Sequence, residues 1–202
     1  NGRGMLLGNF MTGNENYIYN NVIIRAGMGP APGGEFSNDP AWSYSCVDIN
    51  AGATGNPATT IHFYNNTLYG CGYGGGPADT AGLVSVGDSF PFNLDFRNNL
   101  MVSTGFPFVQ GYSATKTTRA SNNLWFGPGG PVPDPTVPEI FATPITGDPK
   151  LVKPAAGDVH LQSGSAAIGK GNQMAPIPGV DFDLNPRPAS SPVDIGAFQW
   201  VP

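Results

Sequence analysis

The 202-residue chain has the length of one domain, and nothing in it demands two. Nine Lys plus Arg against fourteen Asp plus Glu give a net charge of −5, which leaves no basic stripe for phosphate and argues against nucleic acid; no apolar run approaches a membrane span. Gly (29) and Pro (21) are abundant enough to raise disorder, but the 40% of hydrophobic residues fall at periodic positions, so Gly and Pro are assigned to turns between short strands.

The chain begins at Asn1 and reads as strand almost at once, in Met5-Leu6-Leu7. This start is read as that of a processed or partial chain, with N-terminal coils among what could precede it. Residues 17–25 follow, then Cys46-Val47-Asp48-Ile49-Asn50 with residues 61–69, residues 83–86 with 94–102, and 108–109 with 118–126. Each of these four groups contains an Asn-Asn pair: Asn20-Asn21, Asn65-Asn66, Asn98-Asn99 and Asn122-Asn123. Two places before the first Asn stand Ile18, Phe63, Phe96 and Ala120; three places after it stand Ile23, Leu68, Met101 and Trp125. These apolar columns alternate with Tyr17/His62/Asp95/Arg119 and Tyr19/Tyr64/Arg97/Ser121, the period-2 pattern of a strand with one buried face. Asn tolerates the left-handed bend between two strands, and a bend that recurs in register predicts stacked coils with an Asn ladder. The pairs are 45, 33 and 24 residues apart, so the excess over a bare three-strand turn lies in loops.

Strand, Asn-Asn bend and strand, repeated four times over residues 4–126, resemble the right-handed parallel β-helix proteins of the pectate-lyase-like superfamily. The resemblance implies an all-β right-handed parallel β-helix, a solenoid of about four coils, over residues 1–126. In that frame Phe63 and Phe96 are expected to stack inside. Cys46 and Cys71, 25 residues and near one coil apart, are expected to form a disulfide, as in a secreted protein. Asn65-Asn66-Thr67 matches a glycosylation sequon and is discounted as part of the ladder.

The loops at residues 26–44 and 70–81 carry Glu35, Asp39, Trp42, Tyr44, Tyr73 and Asp79. Packing over the coils is the first reading of these aromatics and a carbohydrate-binding platform the second. Residues 127–147, with six prolines, are read as a wrap that cannot pair as a central strand.

From residue 148 an ordered series follows: Asp148-Pro149, then Gly157-Asp158-Val159-His160-Leu161, then Asp181-Phe182-Asp183 with Arg187, and Val193-Asp194-Ile195-Gly196. It resembles the C-terminal segment of choice-of-anchor Q domain proteins, secreted bacterial β-helix proteins in which this segment closes the helix before a surface anchor. Residues 148–202 are thus expected to close the same domain, with an extracellular, bacterial-type, cell-surface location implied. Gln199 stands where that family commonly has an acidic residue. Asp181, Asp183 and Asp194 admit a calcium reading, but bonding to turn amides and pairing with Arg187 is preferred. No cofactor and no metal ligand set is read from the remaining residues.

The superfamily's lyases use a Lys or Arg base beside acidic residues, and its hydrolases clustered Asp. The weak catalytic candidates here are His62, Asp95, Arg97 and Arg119, with Asp48 as a further outward charge; an exposed ion-pair ladder is the preferred reading. The leading expectation is a structural or adhesive module, acting by self-assembly into filaments or by glycan contact. A polysaccharide lyase or glycoside hydrolase is the alternative. The apolar strip at residues 22–24 and 100–102 needs a cover, and the first coil an N-terminal neighbour. Either another polypeptide, self or precursor, supplies these, or residues 127–147 fold back over the strip and a loop plugs the end.

Overall fold

The structure, a computed structural model, describes residues 4–8, 13–27, 45–49, 59–72, 83–86, 92–105, 108–111, 117–128, 138–173, 179–189 and 192–202. The described residues form an all-β fold with no α-helix. Four successive triplets of strands come first: β1 (Met5–Leu7), β2 (Glu15–Tyr19), β3 (Val22–Ile24); β4 (Val47–Ile49), β5 (Thr60–Tyr64), β6 (Thr67–Tyr69); β7 (Val84–Val86), β8 (Asn93–Arg97), β9 (Leu100–Val102); and β10 (Val109–Gly111), β11 (Thr117–Ser121), β12 (Leu124–Phe126). Short elements follow: a 3₁₀ turn at Pro138–Phe141, β13 (Ile145–Thr146), β14 (Leu151–Lys153) and β15 (Asp158–Leu161).

Each triplet gives one strand to each of three parallel sheets. The first sheet runs β1-β4-β7-β10, the second β2-β5-β8-β11, and the third β3-β6-β9-β12-β13; β14 and β15 pair antiparallel. The register keeps the predicted columns intact, with Ile18, Phe63, Phe96 and Ala120 aligned across the second sheet. Val47, Ile49, Phe63, Phe96, Leu68 and Met101, drawn from all three sheets, share one buried core. Phe63 and Phe96 stack at 5.2 Å between ring centroids, and Trp125 continues the pile at 6.2 Å from Phe96. Cys46, just before β4, is disulfide-bonded to Cys71, just after β6, so the bridge ties the two ends of the second triplet. Loops of this length gain about 3 kcal/mol from such a closure.

The two residues of each Asn-Asn pair do different work. The first (Asn20, Asn65, Asn98, Asn122) takes the left-handed turn, with φ between 50° and 55°. The second forms the ladder. The Asn99 side-chain amide donates to Asn123 Oδ1 (3.0 Å) and to Phe63 O (2.8 Å), while its Oδ1 accepts from Asn66 N (3.0 Å) and Asn66 Nδ2 (3.1 Å). Asn66 repeats the pattern with Asn99, Ile18 O and Asn21. Burial removes water as an alternative partner, so every one of these bonds is needed.

The first-column side chains face outward and hold the C-terminal segment. Asn122 donates to Lys170 O (2.8 Å), Asn98 to Asn172 O (2.7 Å), Asn65 to Asp194 O (3.2 Å) and Asn20 to Val180 O (2.9 Å). Asn65 therefore lies outside the ladder. Its sequon is nonetheless inaccessible, because the residue is fully buried under that segment.

The expected cover of the apolar strip, another polypeptide or residues 127–147, needs correction. Among the described residues, the apolar strip on the third sheet is covered by the C-terminal segment, with Ile145 beside it: Leu100, Val102 and Leu124 pack with Leu161, Ala167 and Ile195, and Val22 and Ile24 pack with Val159, Ala197 and Phe198. Within residues 127–147, Ile145 and Thr146 do pair, parallel to β12, as an edge strand of the third sheet. An edge position suits a Pro-rich stretch, because only one side must offer main-chain bonds.

Asn99→Ala should cost about 3–5 kcal/mol, because it leaves the buried Asn66 N–H without an acceptor and removes the Asn99 side-chain bonds to Asn66 Nδ2, Asn123 Oδ1 and Phe63 O. Urea denaturation of the variant against wild type measures this, and a loss under about 1 kcal/mol would contradict the role given to the ladder.

Candidate functional site

The outward face of the second sheet is built by the polar columns. Parallel register sets Tyr17, His62, Asp95 and Arg119 in one row across β2, β5, β8 and β11; Tyr19, Tyr64, Arg97 and Ser121 in the next; and Glu15, Thr60, Asn93 and Thr117 in the row before. Period-2 alternation turns the described side chains of these rows away from the Phe63–Phe96 core.

Asp95 is the hub. Arg97 grips both of its carboxylate oxygens through Nε and Nη2, and Tyr64 Oη donates to Oδ2 at 2.6 Å. His62 Nδ1 lies 2.6 Å from Tyr64 Oη and 3.3 Å from Asp95 Oδ2, and His62 Nε2 is hydrogen-bonded to Glu15 Oε2. Both imidazole nitrogens therefore face oxygens. Tyr17 stacks flat on the His62 ring at 4.5 Å with 6° between planes, and the Arg97 guanidinium lies 5.3 Å from the Tyr64 ring centroid.

Burial alone would raise the Asp95 carboxyl, yet the Arg97 hydrogen bonds, then the Tyr64 hydroxyl and the nearby charges, outweigh it and hold Asp95 below the usual carboxylate range. The Asp95 contact raises the Arg97 guanidinium further. Burial, followed by the Asp95 contact, pushes the Tyr64 phenol well above its ordinary value. At neutral pH the triad is thus carboxylate, guanidinium and neutral phenol. A cleft of about 330 Å³ opens beside it, lined by Glu15, Thr60, His62, Asn93, Leu94, Asp95 and Arg119.

His62, Asp95, Arg97 and Arg119 do share one face as expected, but not as an exposed ladder. Asp95 is 4% exposed and the His62 side chain 14%, while Arg119 stands apart, exposed on the cleft wall without an ion pair among the described residues. Asp48 belongs to β4 in the first sheet and is buried, away from this face. The proposed carbohydrate contacts Glu35, Asp39, Trp42, Tyr44, Tyr73 and Asp79 lie outside the described residues. Sequence reasoning passed over Glu15 and Tyr64. Tyr64 already stood in the Arg97 column, and Glu15 is two residues before Tyr17 on the same face, so extending the register by one row would have found both.

The closing-segment residues hold turns. Asp181 accepts from Asp183 N, Asn185 N and Gln199 N at 2.7–2.9 Å, and Asp194 from Gly169 N, Gln199 Nε2 and Trp200 N at 2.6–2.8 Å. Arg187 was expected to pair with these carboxylates. Instead its guanidinium donates to Asp194 O, Gly196 O and Asn20 Oδ1, with no carboxylate in ion-pair reach among the described residues. The carboxylates are consumed by main-chain amides, which leaves carbonyls as partners for Arg187. Burial lowers this guanidinium to about 10, with the charges of Asp181 and Asp194 pulling the other way. Asp183 points elsewhere, to His160 Nε2 at 2.6 Å, while His160 Nδ1 meets Asp158 Oδ1 at 2.6 Å. No cluster of three or more metal-binding side chains occurs among the described residues.

No protein-family model matches this chain, and neither a curated protein nor a solved structure does.

Burial pulls the His160 imidazole down, but the Asp183 and Asp158 hydrogen bonds outweigh it and hold it above the ordinary histidine value. A raised folded-state value means that this stabilisation is complete below about pH 6.5 and is lost as pH rises through the raised value. The gap in melting temperature between wild type and His160→Ala should therefore be widest near pH 6 and narrow toward pH 9. The ring's packing on Phe198 at 4.0 Å leaves a residual gap. Equal gaps at both pH values would contradict the assignment.

Proposed function

We propose that this chain is a right-handed parallel β-helix of four coils, one per strand triplet, and that it acts as an extracellular module making contact with glycan on its second sheet. The every-third-strand parallel pairing supports the coil reading, and the handedness follows the general rule for parallel crossovers. The Cys46–Cys71 disulfide favours an oxidising compartment, and no helix of the described residues is long and apolar enough to cross a membrane. The resemblance of residues 148–202 to the closing segment of choice-of-anchor Q proteins points the same way.

One observation carries the glycan reading. The 330 Å³ cleft combines fixed polar groups with the Tyr17–His62 stack at its edge, and Tyr17 and Tyr19 keep 42% and 39% of their surface exposed. Sugars bind where apolar ring faces lie beside oriented donors and acceptors. Catalysis is the second reading, favoured by Glu15 and Asp95 reaching opposite nitrogens of one imidazole. Against it, Asp95 is neutralised by Arg97, and Arg97 is held charged and cannot act as a lyase base. A head-to-tail filament would need an open C-terminal edge, whereas residues 138–146 occupy it: the 3₁₀ turn packs against β11, and β13 extends the third sheet past β12.

Titration calorimetry with neutral and uronate polysaccharides tests the reading. Wild type should bind at least one class without producing new unsaturated or reducing ends. Tyr17→Ala should weaken binding at least tenfold with an unchanged far-ultraviolet spectrum. Product ends that vanish in Glu15→Gln would favour the catalytic reading, and absence of binding to every polymer would reject glycan contact.

A further inference from the structure

Among the described residues, the N-terminal end of the strand triplets is left open in a directional way. β1, β2 and β3 are each the terminal strand of their sheet. Asn14 O accepts from Thr60 N and Asn21 O from Thr67 N, so strand alternation turns the main-chain groups of Glu15, Tyr17 and Tyr19, and of Val22 and Ile24, to the open side. The interior column is exposed with them: Met5, Leu7, Ile18 and Ile23 are only half-buried, whereas their partners one coil on, Val47, Ile49, Phe63 and Leu68, are fully buried.

The ladder gives this end a chemical polarity. In every step the upstream Asn donates, through N and Nδ2, to the downstream Oδ1, and the downstream Nδ2 reaches back to a carbonyl three residues before the upstream Asn. Asn66 donates to Ile18 O, Asn99 to Phe63 O and Asn123 to Phe96 O. At Asn21 the series ends. Its Oδ1 has no donor among the described residues, and its Nδ2 turns back to its own Tyr19 O at 3.1 Å.

We propose that the β1–β2–β3 edge is a docking surface for a further coil that runs parallel to it and carries its own bend asparagine, with that asparagine donating to Asn21 Oδ1. The main chain supplies the sheet pairing and the Asn supplies the register, a form of strand addition. A second copy of this chain does not fit. Head-to-tail stacking meets the C-terminal end, where Phe141 lies 4.7 Å from Trp125, and head-to-head pairing sets one Asn21 acceptor against another. The proposal does not involve the glycan cleft and stands or falls independently of it.

The probe is a synthetic peptide of residues 60–69, which contains the bend Asn66, added to the full chain and followed by amide hydrogen exchange and light scattering. Expected are saturable binding, at least tenfold slower exchange at Tyr17, Val22 and Ile24, and at least tenfold weaker binding of the peptide carrying Asn66→Ala. Fusing the same segment ahead of Asn1 through a flexible linker repeats the comparison without depending on peptide solubility. Three results would overturn the proposal: no protection in either format, equal protection by the Ala version, or a chain that alone dimerises or already protects these amides.

Discussion

The asparagine amide is the interaction on which this architecture rests. Where β5 turns into β6, or β8 into β9, the main chain bends through a left-handed residue, and the N–H of the second bend residue, Asn66 or Asn99, finds its acceptor on a side chain of the next triplet and not on its main chain. Asn66 and Asn99 bridge the gap, each amide serving as two donors and a shared acceptor between consecutive triplets. Buried and dry, such groups would each cost about 1–3 kcal/mol if unpaired, more than the net gain of an ordinary hydrogen bond. A glutamine is too long and an aspartate lacks the donors, so the requirement is for this side chain.

Once the bend is fixed, the register of all three sheets is fixed with it, and register places the outward chemistry. The 33-residue step from Asn65 to Asn98 sets Tyr64 beside Arg97 and His62 beside Asp95. A one-residue slip would put Phe63 and Phe96 outside and the charged network in the core. The polar cluster around Asp95 is therefore a product of the same ladder that builds the hydrophobic pile. Its low exposure comes from Tyr64, Arg97 and His62 closing over one carboxylate.

The strands, the Phe63–Phe96 stack and the Cys46–Cys71 bridge were legible in the sequence because each follows from local alternation plus a repeating bend. The division of labour within Asn20-Asn21 and its counterparts was not legible. Both asparagines read alike, and the partners of the outer one lie as far away as Val180, at 160 residues' separation. Arg187 was misassigned for a related reason: opposite charge suggests pairing, but Asp181 and Asp194 are saturated by amides, a fact visible only in three dimensions. Glu15 was missed because the repeat was read from the bend outward and stopped at Tyr17. Trp42 and Tyr73 stand in stretches between the repeats whose lengths vary, where no periodicity constrains the reading.

The outer asparagine seam also changes what kind of cooperative unit this molecule is. Stacked repeats ordinarily unfold by nearest-neighbour steps, fraying from an end. Here residues 170–194 cross all four bends: Lys170, Asn172 and Val180 touch the fourth, third and first, and Asp194 returns to the second. One strap thus touches every strand triplet, and no triplet can open without releasing part of it. The contacts are of very long range in sequence, so they carry a large loop-closure cost and form late in folding. During synthesis, the apolar outer face of the third sheet stays bare until the covering residues, from Val159 to Phe198, have emerged. Until then the apolar residues of that face, Leu100, Val102 and Leu124 among them, are open to wrong association.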